Sequence, residues 1–371
     1  MLSFERIQFL LMNLRGKTMS PTIRDVARRA GVSVGTVSHV LNGSATVSEA
    51  TRARVLEAIR DLDYHPDEAA RTLRRRTTGT IGLVRSVEGG AHMLTEANDY
   101  VFLEFLAGAQ EVTMREGIGI LLWAASPGPS EEEVYRRLVR GRRVDGFLLL
   151  GTRTDDWRVH YLEEQGVPFV AFGRAPDGGD FPYVDVDGEK ALVLITEHLV
   201  YLGHRRIGYI EPPKGLMCAV HRRNGYLSTL ERHHTPVDER LIIAGGFTWE
   251  DGERAMRDLM YLPDPPTAVI APNDVAAMGA VAAARVMGLE VGRDISVVGF
   301  DDIPLAAYWE PPLTTVHQPA RWIGAEVTRM LLALLSHGSV PSLHVLVSPE
   351  LRVRQSTGPA PQPEREQCID I

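Results

Sequence analysis

Gly31-Val-Ser-Val-Gly35 has the G-x-S-x-G spacing of a nucleophile elbow, in which a serine on a strand-to-helix turn attacks an acyl carbon. That chemistry requires a strand before the serine. Here Ile23, Val26, Ala27 and Ala30 precede it at i, i+3, i+4 and i+7, which predicts a helix with one apolar face. Ser33 therefore reads as a helix cap. No other serine sits in an activating motif, and His233-His234 stand before Pro236 without metal-ligand spacing. Walker and dinucleotide glycine patterns are absent. Cys218 and Cys368, 150 residues apart, support neither a disulfide framework nor a zinc site. The expectation is a protein without catalysis, cofactor or metal.

Binding chemistry is the alternative, and two polar pairs carry it. Asn273-Asp274 follow the apolar run Ala268 to Ala271, and Asp301-Asp302 follow Ile295 to Phe300. In open parallel sheets ligands sit at the carboxyl ends of strands, so polar residues there are suspect for function. Asn and Asp also cap helices well.

The elements that must position these residues fall into two parts. Thr22 and Asp25 form a capping-box pair at the start of the first helix, Gly31 supplies a left-handed turn, and Val32 fills the corner. A second helix runs from the Ser33 cap with Val37, Val40 and Leu41 inward, and stops at Asn42-Gly43. Val34, Gly35, Ser38 and His39 face out. A third helix from Ser48 to about Leu62 offers Val55, Leu56 and Ile59 to cover the first two. Two short helices about a tight glycine turn make a helix-turn-helix, which reads DNA. Tyr64-His65-Pro66 ends the unit, and residues 67–77 form a short basic link whose four arginines suit phosphates.

From Thr78, apolar runs alternate with amphipathic stretches: Ile81 to Val84, Ile118 to Ala124, Gly146 to Leu150, Pro168 to Phe172, Ile207 to Ile210, Leu241 to Ala244, Ala268 to Ala271 and Ile295 to Phe300. Buried runs between helices imply parallel sheets in a doubly wound α/β architecture, and eight strands are more than one sheet needs. Residues 356–371 read as a disordered tail without leucine heptads, which favours a dimer over a tetramer. Residues 1–20 read as an extension, either untranslated, with translation starting at Met19, or a disordered arm. Its short apolar run lacks a cleavage site, so neither a signal peptide nor a membrane span is expected, and the protein should be cytoplasmic. Residues 21–76 carry ten arginines against seven acids, so the net charge of −8 splits into a basic reader and an acidic remainder.

The run Thr22 to Arg76, including Ala69-Ala70-Arg71-Thr72-Leu73, closely resembles the LacI/GalR family of bacterial transcriptional regulators. Matching pieces continue along the chain: Leu202 to Gly208, Arg222 to Tyr226, Pro272-Asn273-Asp274, Ser296 to Asp302, Pro312 to Pro319 and Pro349-Glu350-Leu351. The resemblance implies an N-terminal all-α helix-turn-helix domain (21–66), a hinge helix (67–77) and a periplasmic-binding-protein-like bilobed domain of two doubly wound sheets (78–355). Three chain crossings between the lobes are placed near Asp185, Gln318 and Val347.

It further implies a regulator, most naturally a repressor, that binds a pseudo-palindromic double-stranded operator as a homodimer under a small-molecule effector. Val34, Gly35 and His39 lie nearest base edges, with His39 the main polar reader. Thr36 and Ser38 lie near phosphates, and Thr22, Ser33, Asn42, Ala70, Arg71 and Arg74 complete the DNA-contacting set. Leu73 wedges into the minor groove. For the effector, Asn273 and Asp301 match ligand-bonding positions, leaving Asp274 and Asp302 to capping or lobe structure. Arg222, Phe247 and Gln318 join them, with Phe102, Thr152 and Arg174 from the other lobe. Carboxylate, amide, guanidinium and aromatic plate together suit a sugar, with a purine or another metabolite as the alternative. A non-regulatory solute-binding protein would have no use for the helix-turn-helix.

Overall fold

The computed structural model describes residues 21–41, 46–64, 77–86, 100–175, 179–340 and 342–361, and all statements below concern these. The chain divides into two compact units at Thr77–Thr78.

In the first unit, α1 spans Ile23–Ala30, α2 Val34–Leu41 and α3 Glu49–Asp61. Val26, Val37 and Val55, one from each helix, are completely buried. Burial of each such side chain contributes about 1.5–3 kcal/mol, so this small core holds three short helices that would not persist alone. Gly31 takes φ +65° and lets Val32 N–H donate to Ala27 O at 3.0 Å, the turn expected from the sequence. Arg29 pairs with Asp61 at 2.6 Å, tying α1 to the end of α3. Leu56 does not cover the other helices, being 46 % exposed; Ala58 takes the inward position. The smaller side chain fits because α3 lies close to its neighbours.

The second unit has two lobes. In chain order the first supplies β1 (Thr80–Ser86), α4 (Tyr100–Glu116), β2 (Gly119–Ala125), α5 (Pro129–Arg140), β3 (Gly146–Leu150), α6 (Trp157–Glu164), β4 (Phe169–Phe172) and β5 (Tyr183–Val186). The second supplies α7 (Gly188–Tyr201), β6 (Ile207–Glu211), α8 (Met217–Arg232), β7 (Ile242–Ala244), α9 (Trp249–Met260), β8 (Ala268–Ile270), α10 (Asp274–Val286), β9 (Ser296–Val298), α11 (Pro304–Tyr308) and β10 (Thr315–His317). The chain then returns to the first lobe as α12 (Ala320–His337) and β11 (His344–Val347), and ends in the second with β12 (Glu350–Arg352). The first sheet is parallel in the order β11-β5-β4-β3-β1-β2, the second parallel in the order β7-β6-β8-β9. β10 and β12 form an antiparallel pair.

All eight apolar runs fall on strands. The four further strands, β5, β10, β11 and β12, flank the three crossings. Gly108 and Gly324 let α4 and α12 press together: a Cβ on Gly108 would come within 1.8 Å of Arg321 O. The lobes also touch through backbone. Thr154 N–H donates to Gly215 O at 2.9 Å, and Met217 N–H to Thr152 O at 2.9 Å.

The packed chain extends past the boundary expected at 355. Ser356 is completely buried; its hydroxyl donates to Val297 O at 2.6 Å and accepts from Thr314 N–H at 2.8 Å. Ala360 N–H donates to Leu202 O at 2.9 Å. A disordered tail from 356 is therefore corrected for residues 356–361, whose hydroxyls and peptides answer polar groups of the second lobe. The rest of that tail, and residues 1–20, lie outside the described residues.

Candidate functional site

Within the second unit, a cleft of about 320 Å³ opens between the lobes at the carboxyl ends of both sheets. Arg85, Thr152, Phe172 and Asp185 line it from the first lobe, and Arg222, Phe247, Asn273, Phe300 and Asp301 from the second, with Gln318 at a crossing. Its size suits a small organic ligand.

Arg222, from α8, is 7 % exposed, and Nη1 donates to Pro272 O at 2.6 Å. Its guanidinium lies over the Phe300 ring, 3.6 Å from the centroid, and Nε is buried without a hydrogen-bond partner. Asp301 stands at φ +108°, a region unfavourable for a side chain with a Cβ. Backbone hydrogen bonds on both sides hold it there: Asp301 N–H donates to Val316 O at 2.9 Å, and Asp301 O accepts from Gln318 N–H at 3.2 Å. Its Oδ1 accepts from Gln318 Nε2 at 3.0 Å. Burial pushes the Asp301 carboxyl up to about 7 against the opposing pull of Arg222, and pushes Asp185 up to about 6 against Arg174. Burial, aided by Arg174, pushes the cleft-lining His221 down to about 4.

Six of the eight effector candidates meet here: Thr152, Arg222, Phe247, Asn273, Asp301 and Gln318. Phe102 and Arg174 do not line the cleft. Phe102 is a core side chain, its ring beneath the Arg85 guanidinium at 4.3 Å. Arg174 turns to the first crossing, with Nη2 3.4 Å from Asp187 Oδ1 and Nε 3.4 Å from His221 Nδ1. Asn273 lines the cleft and also caps α10. Its Oδ1 accepts from Ala276 N–H at 2.8 Å and Nδ2 donates to Phe247 O at 3.0 Å, fixing the Phe247 loop. Asp274 and Asp302 are structural, as expected: Asp274 accepts from Ile303 N–H and Thr315 Oγ1, while Asp302 engages His317 and Arg354. Sequence reading missed Phe172, Asp185 and Phe300. Both phenylalanines close apolar runs, a strand-end position that could have marked them.

The candidate DNA-reading surface belongs to the first unit. Val34, Gly35 and His39 on α2 are exposed, with Val34 41 % accessible. Ser33 caps the helix: its Oγ accepts from Thr36 N–H at 3.1 Å and lies 2.9 Å from Thr36 Oγ1. At the start of α1, one Asp25 oxygen accepts from Thr22 N–H at 2.9 Å and Thr22 Oγ1 at 2.6 Å, bonds that lower the Asp25 pKa. Two helix N-termini thus carry small hydroxyl caps, the geometry that serves phosphate contacts. Asn42, Ala70, Arg71, Leu73 and Arg74 lie outside the described residues.

Among the described residues no helix is long and apolar enough to cross a membrane, and no three metal-ligating side chains cluster. Residues 22–67 match the family described as "Bacterial regulatory proteins, lacI family", and residues 196–357 match "Periplasmic binding protein-like domain". The chain is 36 % identical over 348 residues to the HTH-type transcriptional regulator AglR of Rhizobium meliloti, covering 92 % of this chain and 96 % of that one. Against CelR of Thermobifida fusca it is 36 % identical over 344 residues, covering 91 % and 98 %. Among solved structures, a CelR–cellobiose complex superposes with a TM-score of 0.67 at 34 % identity, covering 91 % of this chain and 99 % of that one. The lac repressor dimer bound to operator gives 0.80 at 28 % identity, with the same coverage. These relatives are named as regulators of transcription, a non-enzymatic role, and this chain belongs to the lacI family of bacterial transcriptional regulators.

Proposed function

We propose that the protein is a repressor that binds a pseudo-palindromic operator as a homodimer and is controlled by a sugar held between its lobes. The cleft carries this reading. Carboxylate, guanidinium and amide groups stand among the aromatic side chains Phe172, Phe247 and Phe300, the mixture that bonds sugar hydroxyls and packs on apolar sugar faces. The relative solved with cellobiose supports the same class. On the DNA side, α2 sets Val34, Gly35 and His39 against base edges of the major groove, and the hinge segment with Leu73 enters the minor groove of the bound site. Effector occupancy changes lobe closure and so the pairing of the two hinge segments in the dimer.

The test is thermal stabilisation of the purified protein by a panel of sugars, sugar phosphates and purines, followed by operator binding with each hit. A stabilising sugar that alters operator affinity supports the reading. A purine as the sole hit replaces the effector class, and a tetramer by light scattering overturns the dimer.

A further inference from the structure

The sequence points to Arg174 as a ligand contact from the first lobe, yet its guanidinium is turned away from the cleft and the carboxylate beside it faces in. Asp185 lies near the end of β5, two residues before Asp187 caps α7 through Lys190 N–H. Its Oδ2 forms an ion pair with Arg174 Nε at 3.7 Å, too long for a hydrogen bond, and the side chain lines the cavity. Arg174 is drawn away by Asp187 at 3.4 Å and His221 at 3.4 Å. On the opposite wall Asp301 has one carboxylate oxygen bonded to Gln318. A second observation marks the space between as a ligand position: Arg222 is 7 % exposed, lines the same cavity, and keeps its buried Nε without a partner.

Building on the effector-cleft reading above, we propose that Asp185 is the first lobe's specificity-determining ligand contact, and that Asp185 and Asp301 clamp hydroxyls of one uncharged ligand from opposite lobes. In its ionised form a carboxylate only accepts, and a guanidinium only donates, while a hydroxyl does both, so a polyol satisfies all three groups at once. A phosphate or carboxylate would add negative charge to a lining whose two acids, Asp185 and Asp301, are already matched by two arginines, Arg85 and Arg222. Because Asp185 immediately precedes the first crossing, a ligand bonded to it and to Asp301 pulls on both lobes at their shared pivot. Arg174 then serves as a positioning residue, holding the crossing through Asp187.

The experiment measures binding to the full-length protein by calorimetry and thermal shift. Its probes are neutral mono- and disaccharides, the matched sugar 6-phosphates, glucosamine and adenosine. Asp185→Asn and Arg174→Gln are assayed beside the parent, with melting temperature without ligand and operator binding as controls for folding. A neutral sugar should bind the parent and outcompete its phosphate. Asp185→Asn should weaken it by about ten-fold or more, as expected for loss of a charged hydrogen bond, with a ligand-free melting temperature no lower than the parent's. Arg174→Gln should cost less than Asp185→Asn. Preference for the phosphate, for glucosamine or for adenosine overturns the clamp, as does an Asp185→Asn affinity within two-fold of the parent or a panel in which no neutral sugar binds. None of these outcomes removes operator binding, so they are distinct from failure of the repressor reading.

Discussion

Gln318 Nε2 donates to Asp301 Oδ1 at 3.0 Å, which joins a residue of the second crossing to a residue of the cleft wall. Asp301 is thereby held at the cleft wall at an electrostatic cost, since burial pushes its carboxyl up to about 7 against the pull of Arg222.

That cost has a definite sign. The folded-state pKa lies above the unfolded value, so the ionised carboxylate lowers stability progressively as pH rises from about 4 through about 7. Asp301→Asn keeps the bond from Gln318 and cannot ionise. Without ligand, the variant should be more stable than the parent at pH 8 by roughly 4 kcal/mol, with the difference vanishing near pH 4. Urea denaturation at the two pH values checks this; an equal difference at both would refute it.

Arg158 is expected to be indispensable to the first lobe. Its guanidinium is almost completely buried and donates twice to Asp156, at 2.8 and 2.7 Å, and to Leu150 O and Gly151 O at 3.1 and 2.8 Å. Arg158→Met would leave Asp156 and Glu131 buried with less compensation, at a cost of roughly 3–5 kcal/mol. The melting temperature should fall accordingly, and the loop after β3 that carries Thr152 should lose its anchor.

Two substitutions at Asn273 separate capping from ligand positioning. Asn273→Ala removes the α10 cap and should cost about 1–2 kcal/mol in chemical denaturation. Asn273→Asp retains an acceptor for Ala276 N–H but cannot donate to Phe247 O, so effector affinity should fall with a smaller loss of stability.

On DNA, His39→Ala should flatten base preference at one position of each half-site while leaving non-specific affinity and its salt slope nearly unchanged. Binding to a series of singly mutated operators reads this directly. Full retention of the parent's preferences would remove His39 as a base reader.

The helix-turn-helix was legible because its apolar spacing, caps and glycine turn all agree locally. Leu56 against Ala58 was not, since which residue of α3 turns inward depends on how closely three helices cross. The apolar runs marked the central strands, whereas β12, Glu350-Leu-Arg352, has a charged residue at either end and is a strand only because β10 pairs with it. In the cleft, Asn273 and Asp301 could be placed by strand ends. Arg174 could not, because Asp187, the acid that turns it away, enters only through the folded first crossing. Asp185 was hidden for the same reason, being one carboxylate inside a strand.

The backbone hydrogen bonds between Thr152–Thr154 and Gly215–Met217 have a kinetic consequence. A ligand held in the cleft as proposed and leaving past Thr152 and Leu216 would have to wait for two backbone hydrogen bonds to break, which would put the gate on that side in the main chain. Since neither partner is a side chain, the gate tolerates drift in the loop sequences. Residence time can thus be conserved while the residues that choose the ligand change.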